Sequence, residues 1–150
     1  DLHSFPTRRS SDMWQVEQTV DKIVKKINIE NLDYILSYQS RVGPLKWIGP
    51  STESAIIENS KFGKHIVLVP IAFVSEHSET LVELDIEYKK LAEQYGCKNY
   101  TRVPALGVNE SFIKSLLKLI LNKEAYKFKE GLYSPKIQCP SKFKKCPCTQ

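Results

Sequence analysis

The sequence predicts an α/β fold in which helices flank a mostly parallel, Rossmann-like sheet. Helical and strand-like segments alternate along the chain, which is typical of strands joined by helical crossovers. The segment 65–70 is apolar almost throughout, as are strands that a parallel sheet buries on both faces. The 150 residues, of which 41% are hydrophobic, suffice for one modest domain with a core.

The first half of the chain supplies two predicted helices and two predicted strands. Residues 33–38 have the composition of a strand and lead into a loop rich in glycine and proline, residues 42–50. Ser51 or Thr52 can cap the helix that follows, and Gly63 can end it before the apolar strand. Apolar side chains at helical spacing predict the first helix: Val16, Val20, Ile23, Val24 and Ile27.

The second half continues the alternation. A long helix is predicted at 79–95, ended by Gly96, and a short strand at 99–103. Asn109 can cap a last helix, whose apolar residues are Phe112, Ile113, Leu116, Leu117, Leu119, Ile120 and Leu121.

Three loops leave the carboxyl ends of the predicted strands: residues 39–50, 71–78 and 104–108. Ligands of open α/β sheets bind beyond those ends. We therefore expect the functional residues on these loops.

The two ends of the chain differ from its middle. Residues 3–12 read HSFPTRRSSD, which resembles a translated sequencing-library adapter and has no hydrophobic periodicity, so we interpret residues 1–12 as a non-native segment. The α/β domain is expected at 13–125, followed by a basic, cysteine-containing tail at 126–150.

Charge and hydropathy narrow the function classes. The net charge of +5 is concentrated in the tail, where lysines can meet an anionic surface or simply face solvent. The tail lacks the aromatic platform of a single-strand binder, so no nucleic acid is expected as a partner, and peripheral membrane association stays open. No apolar run approaches the ~20 residues of a membrane-spanning helix, and no signal peptide is evident, so a cytoplasmic location is expected.

The loop 71–78 and the helix after it carry the densest chemistry. His77 and Glu79 flank the predicted helix start, and Glu79, Glu83 and Glu87 then repeat at every fourth position. Like charges at that spacing destabilise a helix by about 0.2–0.5 kcal/mol per pair, so fold stability does not call for them. A solvated acidic face is one interpretation. A path for a hard divalent cation such as Fe(II), with groups that also accept protons, is the other.

The loop 39–50 presents Gln39, Ser40 and Arg41 with one large flat side chain, Trp47. A planar aromatic ligand with acidic side groups would use such a set. The alternative is that Trp47 fills a gap in the core.

Together these segments resemble ferrochelatases. The stretch QSRVGPLKWIGP at 39–50, the longer one at 70–88 and RVPALG at 102–107 stand in the family's order. The resemblance covers Trp14 to about Leu121. It implies a chelatase fold of two similar α/β halves with the porphyrin between them. It also implies a lyase that inserts ferrous iron into protoporphyrin IX, the last step of haem biosynthesis. The upstream half, with a required histidine, is absent, so the chain is expected to be an inactive fragment.

The resemblance assigns roles to individual residues. His77 and Glu79 are implied to be catalytic, organising the porphyrin pocket and accepting the pyrrole protons. Glu79, Glu83 and Glu87 are implied to handle the metal. Gln39, Ser40 and Trp47 are implied to face the porphyrin. Glu76 stands where the family more usually has aspartate, which keeps the charge and changes the reach.

The tail carries Cys139, Cys146 and Cys148 in a C-x6-C-x-C pattern. Three thiolates are one ligand short of the four that zinc or a [2Fe–2S] cluster takes, so a cluster, zinc and free thiols all remain open from the residues alone. Some members of the resembled family carry a [2Fe–2S] cluster whose fourth cysteine comes from the other half. Cys97 stands apart and is expected to be a structural thiol. The alternative function is a non-enzymatic Fe–S or metal-binding module.

Overall fold

The computed structural model describes residues 6–39, 49–121, 127–129, 132–134 and 140, and side chains from residue 13 onwards within them, the two short strands excepted. The chain divides into two compact units. One is Ile23–Gly107, and the other combines Asp1–Lys22 with Val108–Gln150.

The unit Ile23–Gly107 confirms the predicted α/β class. Helix α2 (Thr52–Lys61) precedes strand β1 (His65–Leu68). A π-helical segment (Glu79–Glu87) then runs directly into helix α3 (Tyr88–Gln94), which is followed by strand β2 (Asn99–Arg102). The two strands pair in parallel, with the start of β1 opposite the start of β2.

Helix α2 begins and ends where its sequence predicts. The Ser51 hydroxyl accepts a hydrogen bond from the Ser54 N–H at 3.1 Å, and Glu53 places a carboxylate in the positive first turn. At the other end the chain turns through Gly63, whose φ of +64° is one that side-chain-bearing residues rarely adopt.

The core of this unit lies between the helices and one face of the sheet. Ile56 of α2, Ala92 of α3 and Tyr100 of β2 are buried together, with Ile66 and Leu68 of β1 packed against them. The intervening residue Val67 is 64% exposed. The expectation that this strand is buried on both faces is therefore wrong for the described residues, because α2 and α3 cover only one of them.

Residues 33–38 do not form the predicted strand. Only the last of them pairs, since the Tyr38 N–H donates to the Pro50 carbonyl at 3.0 Å and the Tyr38 carbonyl accepts from the Thr52 N–H at 3.3 Å. Tyr34 and Ile35 are 53% and 51% exposed. A strand needs a neighbouring backbone as well as a suitable composition, and beyond Tyr38 the described residues offer it no ladder.

The second unit contains most of helix α1 (Pro6–Ile27), helix α4 (Glu110–Leu121) and an antiparallel hairpin of β3 (Lys127–Lys129) and β4 (Leu132–Ser134). Asn109 caps α4, because its Oδ1 accepts from the Ser111 N–H at 3.0 Å. Helix α1 begins inside residues 1–12, and helical geometry does not bear on their origin, so the non-native interpretation stays a prediction. Among the described residues, no helix combines the length and apolar character that crossing a bilayer requires.

Candidate functional site

The loops that follow β1 and β2 meet at the carboxyl edge of the sheet, where the sequence places the site. The Ala105 N–H donates to Glu76 Oε1 at 2.8 Å, and the Gly107 N–H donates to the Val74 carbonyl at 2.6 Å. These contacts follow from parallel pairing, which brings both strand ends to one edge. Two of the three predicted loops are thereby brought together.

His77 is held from several directions at the start of the helix. Its N–H donates to Thr80 Oγ1 at 2.9 Å, and the Thr80 hydroxyl donates to the His77 carbonyl at 3.0 Å. Thr80 is fully buried, so the Thr80 end of both bonds is shielded from water. The Phe73 ring meets the imidazole edge-on, with the ring centroids 4.7 Å apart. The half-buried imidazole is therefore fixed in place.

The two ring nitrogens of His77 differ in their hydrogen bonding. Nδ1 accepts a hydrogen bond from the Glu79 N–H at 3.1 Å. In this arrangement the neutral imidazole carries its proton on Nε2, which is left as a donor. The His77 imidazole is thus held by its Nδ1 contact and by Phe73, and the exposed Glu79 follows two residues later.

The predicted carboxylate row lies on π-helical backbone. Glu79 and Glu87 are exposed and Glu83 is half-buried. The Tyr88 N–H donates to the Glu83 carbonyl, five residues earlier, which is the π pattern. Within the described part of the chain, no three His, Cys, Asp or Glu side chains converge as a metal-binding group. The three glutamates therefore form an open row and not a closed coordination site.

Tyr88 links the row to the first predicted loop. Gln39 Nε2 donates to the Tyr88 hydroxyl oxygen at 2.9 Å, and that hydroxyl reaches Glu83 Oε1 at 3.5 Å. Burial raises the pKa of Tyr88 above its ordinary value, against the opposing effect of the Gln39 hydrogen bond. The Gln39 Oε1 atom is buried with no hydrogen-bond partner among the described residues. Sequence reasoning missed Tyr88 because α-helical periodicity does not put positions 83 and 88 on one face, whereas π geometry does.

Arg102 joins the two strand-end loops through an ionic clamp. Its Nε and one terminal nitrogen donate to both Asp85 oxygens at 2.6 Å each, and its other terminal nitrogen donates to the Glu76 oxygens at 2.8 and 2.9 Å. The Arg102 side chain is 6% exposed. Its hydrogen bonds lower the pKa of Glu76 to about 2 and also lower the pKa of Asp85. In turn, Asp85 and then Glu76 raise the pKa of the guanidinium.

Several predicted residues lie outside the described part of the chain: Ser40, Trp47, Cys139, Cys146 and Cys148. Their assigned roles stay predictions. Cys97, expected to be structural, is half-buried, and its thiol contacts the carbonyls of Lys64 and Asn99 at 3.2 and 3.1 Å.

Comparisons with known proteins all point to the same protein family. A family model described as Ferrochelatase matches residues 2–124. A ferrochelatase of Pelagibacter ubique is 78% identical over 135 residues, which are 90% of this chain and 39% of that protein. Ferrochelatases of Rickettsia typhi and Rickettsia prowazekii are 49% and 48% identical over 97% of this chain and 44% of their own length. The chain thus spans about two fifths of the length of these curated relatives.

Proposed function

The chain belongs to the ferrochelatase family, and from this premise we propose that the complete protein inserts ferrous iron into protoporphyrin IX to form protohaem, the last step of haem biosynthesis. The observation that carries the proposal is the 78% identity to the Pelagibacter protein over 90% of the chain. The site geometry supports it, because a fixed histidine and a row of carboxylates lie at the edge of the sheet where ligands bind.

The proposed reaction needs more than this chain. The relatives are more than twice as long as the part that the chain matches. We propose that an upstream half supplies the second wall of the porphyrin site and that the chain alone is inactive.

The chemistry asks the protein to receive two protons. Each pyrrole N–H gives up its proton as the nitrogen lone pair binds Fe²⁺, so one porphyrin and one Fe²⁺ yield haem and two protons. Contacts elsewhere on the ring can bend it and expose those lone pairs. We assign proton acceptance to Glu79, which takes one proton at a time and passes each to solvent, because its carboxylate is exposed beside the fixed His77. His77 organises this wall of the pocket and offers the Nε2 proton as a hydrogen bond.

The carboxylate row is proposed to deliver the metal. Oxygen ligands suit Fe(II), and an ion in transit needs sites that it can leave. Glu79, Glu83 and Glu87 fit this requirement, because they form an open row. Gln39, Ser40 and Trp47 are proposed to face the porphyrin, and the partnerless Gln39 Oε1 is consistent with a donor arriving from outside the described residues.

A hybrid enzyme tests the proposal directly. In it, residues 13–150 replace the matched part of the Pelagibacter ferrochelatase, whose high identity favours a compatible interface. We expect it to consume protoporphyrin fluorescence and produce haem absorbance when Fe²⁺ is added. Residues 13–150 alone should not. A folded, porphyrin-binding hybrid that forms no haem, beside an active Pelagibacter parent, would contradict the proposed function.

We further propose that Cys139, Cys146 and Cys148 bind a [2Fe–2S] cluster with one cysteine from the upstream half. The donor set supports this, since thiolates are the usual ligands of such clusters and lysines nearby offset their charge. Visible absorbance and the electron paramagnetic resonance of the reduced hybrid should show the cluster, and Cys146→Ser should abolish both while Cys97→Ser does not. Stoichiometric zinc, or freely titrating thiols in an anaerobic preparation, would contradict it.

A cytoplasmic location is also proposed, with the basic tail as a point of contact with anionic membranes. Cell fractionation at low and high salt tests both statements. Protein that sediments with membranes only at low salt supports peripheral contact.

A further inference from the structure

Strand β2 contacts the π-helical segment at two adjacent points. Tyr100 and Arg102 are two residues apart in the strand, so their side chains share one face. The Tyr100 hydroxyl donates to the Leu84 carbonyl at 2.7 Å, and the Arg102 guanidinium grips the Asp85 carboxylate at 2.6 Å. Leu84 and Asp85 are consecutive and lie near the middle of the segment.

The interactions within the segment do not explain why it is π-helical. π-helices are rare, and most are single-turn bulges, whereas this one runs for nine residues. Its first turn is capped by the His77 imidazole, which accepts the Glu79 N–H, but this contact lies at one end of the segment and does not select the π form over the α form. The glutamate row adds repulsion between like charges. Contacts from outside the helix must therefore favour this geometry over an ordinary α-helix.

We propose that Tyr100 and Arg102 are positioning residues that hold Glu79–Glu87 in its π-helical form and so set the spacing of the carboxylate row. This inference rests on the proposed function, because the row matters only if it handles metal. Tyr100 engages a backbone carbonyl inside the segment, which fixes the backbone itself. Arg102 engages the next side chain along and prevents the segment from rotating.

The other terminal nitrogen of Arg102 also positions the turn that contains His77. Its bonds to Glu76 fix the residue immediately before His77. One guanidinium thus aligns both the start of the site and the middle of the row.

Lysine cannot replace arginine in this position. Arg102 makes four hydrogen bonds to the two carboxylates from three nitrogens, and the single nitrogen of a lysine ammonium cannot reproduce that set. Without a cation between them the two carboxylates repel each other, since the negative charge of Glu76 raises the pKa of Asp85.

The experiment compares Tyr100→Phe, Arg102→Lys and a matched control, Lys64→Met, in the complete protein, for which the hybrid enzyme stands in. The control also removes a hydrogen-bonding group and an ion pair, but the ion pair of Lys64 with Asp33 is exposed to solvent. In the two test variants we expect the KM for Fe²⁺ to rise by about tenfold or more and kcat to fall, because the row contains both the metal-handling carboxylates and the proton acceptor Glu79, while the KM for porphyrin stays within about twofold. Amide hydrogen exchange should accelerate across 79–87 and not across α2. Both results should be absent from the control.

The outcomes separate the two proposals. If the parent hybrid inserts iron and both test variants behave like Lys64→Met, the positioning role is rejected and the proposed function stands. If the parent hybrid forms no haem, the proposed function fails. In that case the positioning role is tested by hydrogen exchange alone, and unchanged amide exchange across 79–87 in both variants would reject it. If Arg102→Lys does not fold, Tyr100→Phe decides, because it removes a single hydroxyl and keeps the ring in the core.

Discussion

Removing the Thr80 hydroxyl should loosen the His77 turn at a predictable cost. Valine has the shape of threonine, so Thr80→Val deletes the hydroxyl without opening a cavity at this fully buried position. The His77 carbonyl would still accept the Leu81 N–H at 2.9 Å. The His77 N–H would lose the acceptor that the structure gives it. An unpaired buried donor costs about 1–3 kcal/mol, and we expect a loss of that size in the free energy of unfolding.

Activity should fall along with stability, because the same bonds hold the His77 backbone from which the imidazole projects. A displacement of about 1 Å in a reacting group can cost about a hundredfold in rate, and we expect kcat to fall by about ten- to a hundredfold with little change in the KM for iron. Urea unfolding and haem formation in the hybrid enzyme measure the two effects.

Thr80→Ser is the matched control for this prediction. It keeps the hydroxyl and loses one methyl group, which costs about 1 kcal/mol through burial alone. Serine should therefore retain kcat. If the valine and serine variants had the same kcat, the hydroxyl would have no part in orienting His77, and the argument from its two hydrogen bonds would be refuted.

Three further predictions concern neighbouring groups. Glu79→Gln should abolish turnover and leave the fold intact, whereas the exposed control Glu53→Gln should retain both turnover and fold; near-normal haem formation by the first variant would remove Glu79 from the proton path. The pKa of Glu76 is lowered to about 2 from an ordinary 4.5, so its contribution to stability is present above pH 4.5 and is lost as the pH falls towards 2. Acid unfolding followed by circular dichroism should therefore show a smaller loss of stability over that window in Glu76→Gln than in the parent, and identical pH profiles would contradict the clamp. Tyr88→Phe removes the link between Gln39 and Glu83, and we expect a severalfold rise in the KM for porphyrin with the circular dichroism spectrum retained; kinetics equal to those of the parent would show that the link has no role in binding.

Local patterns predicted the elements whose causes are local. Ser51 and Gly63 bound α2, Asn109 caps α4, and the apolar run at 65–70 contains β1, because caps, glycine turns and hydrophobic runs act within a few residues. Residues 33–38 show the limit of that reasoning. Their composition suits a strand, but a strand also needs a partner backbone, and only Tyr38 has one among the described residues.

For the candidate site, the sequence predicted the location of two residues but not the contacts that hold them. His77 and Glu79 lie where a parallel sheet places its ligand edge, so topology alone located them. The π geometry of Glu79–Glu87 was not predictable, because the spacing of its glutamates is equally suited to an α-helix and the contacts that decide it come from β2, more than ten residues later. Thr80, Tyr88 and Arg102 were missed as supporting residues for that reason: their roles depend on what the fold brings beside them.

The acidic side chains from Glu76 to Glu87 fall into two groups. Glu76 and Asp85 share Arg102, whose side chain is 6% exposed and whose single positive charge offsets one of their two negative charges. Glu79, Glu83 and Glu87 take part in no ion pair that the described residues show, although Lys89 and Lys90 follow directly in the sequence. Repulsion along the row is therefore not relieved from within this part of the molecule, and a divalent cation would relieve it. The clamp leaves the proposed row free for such a cation, because it secures the helix through Asp85, which is not one of the three row carboxylates.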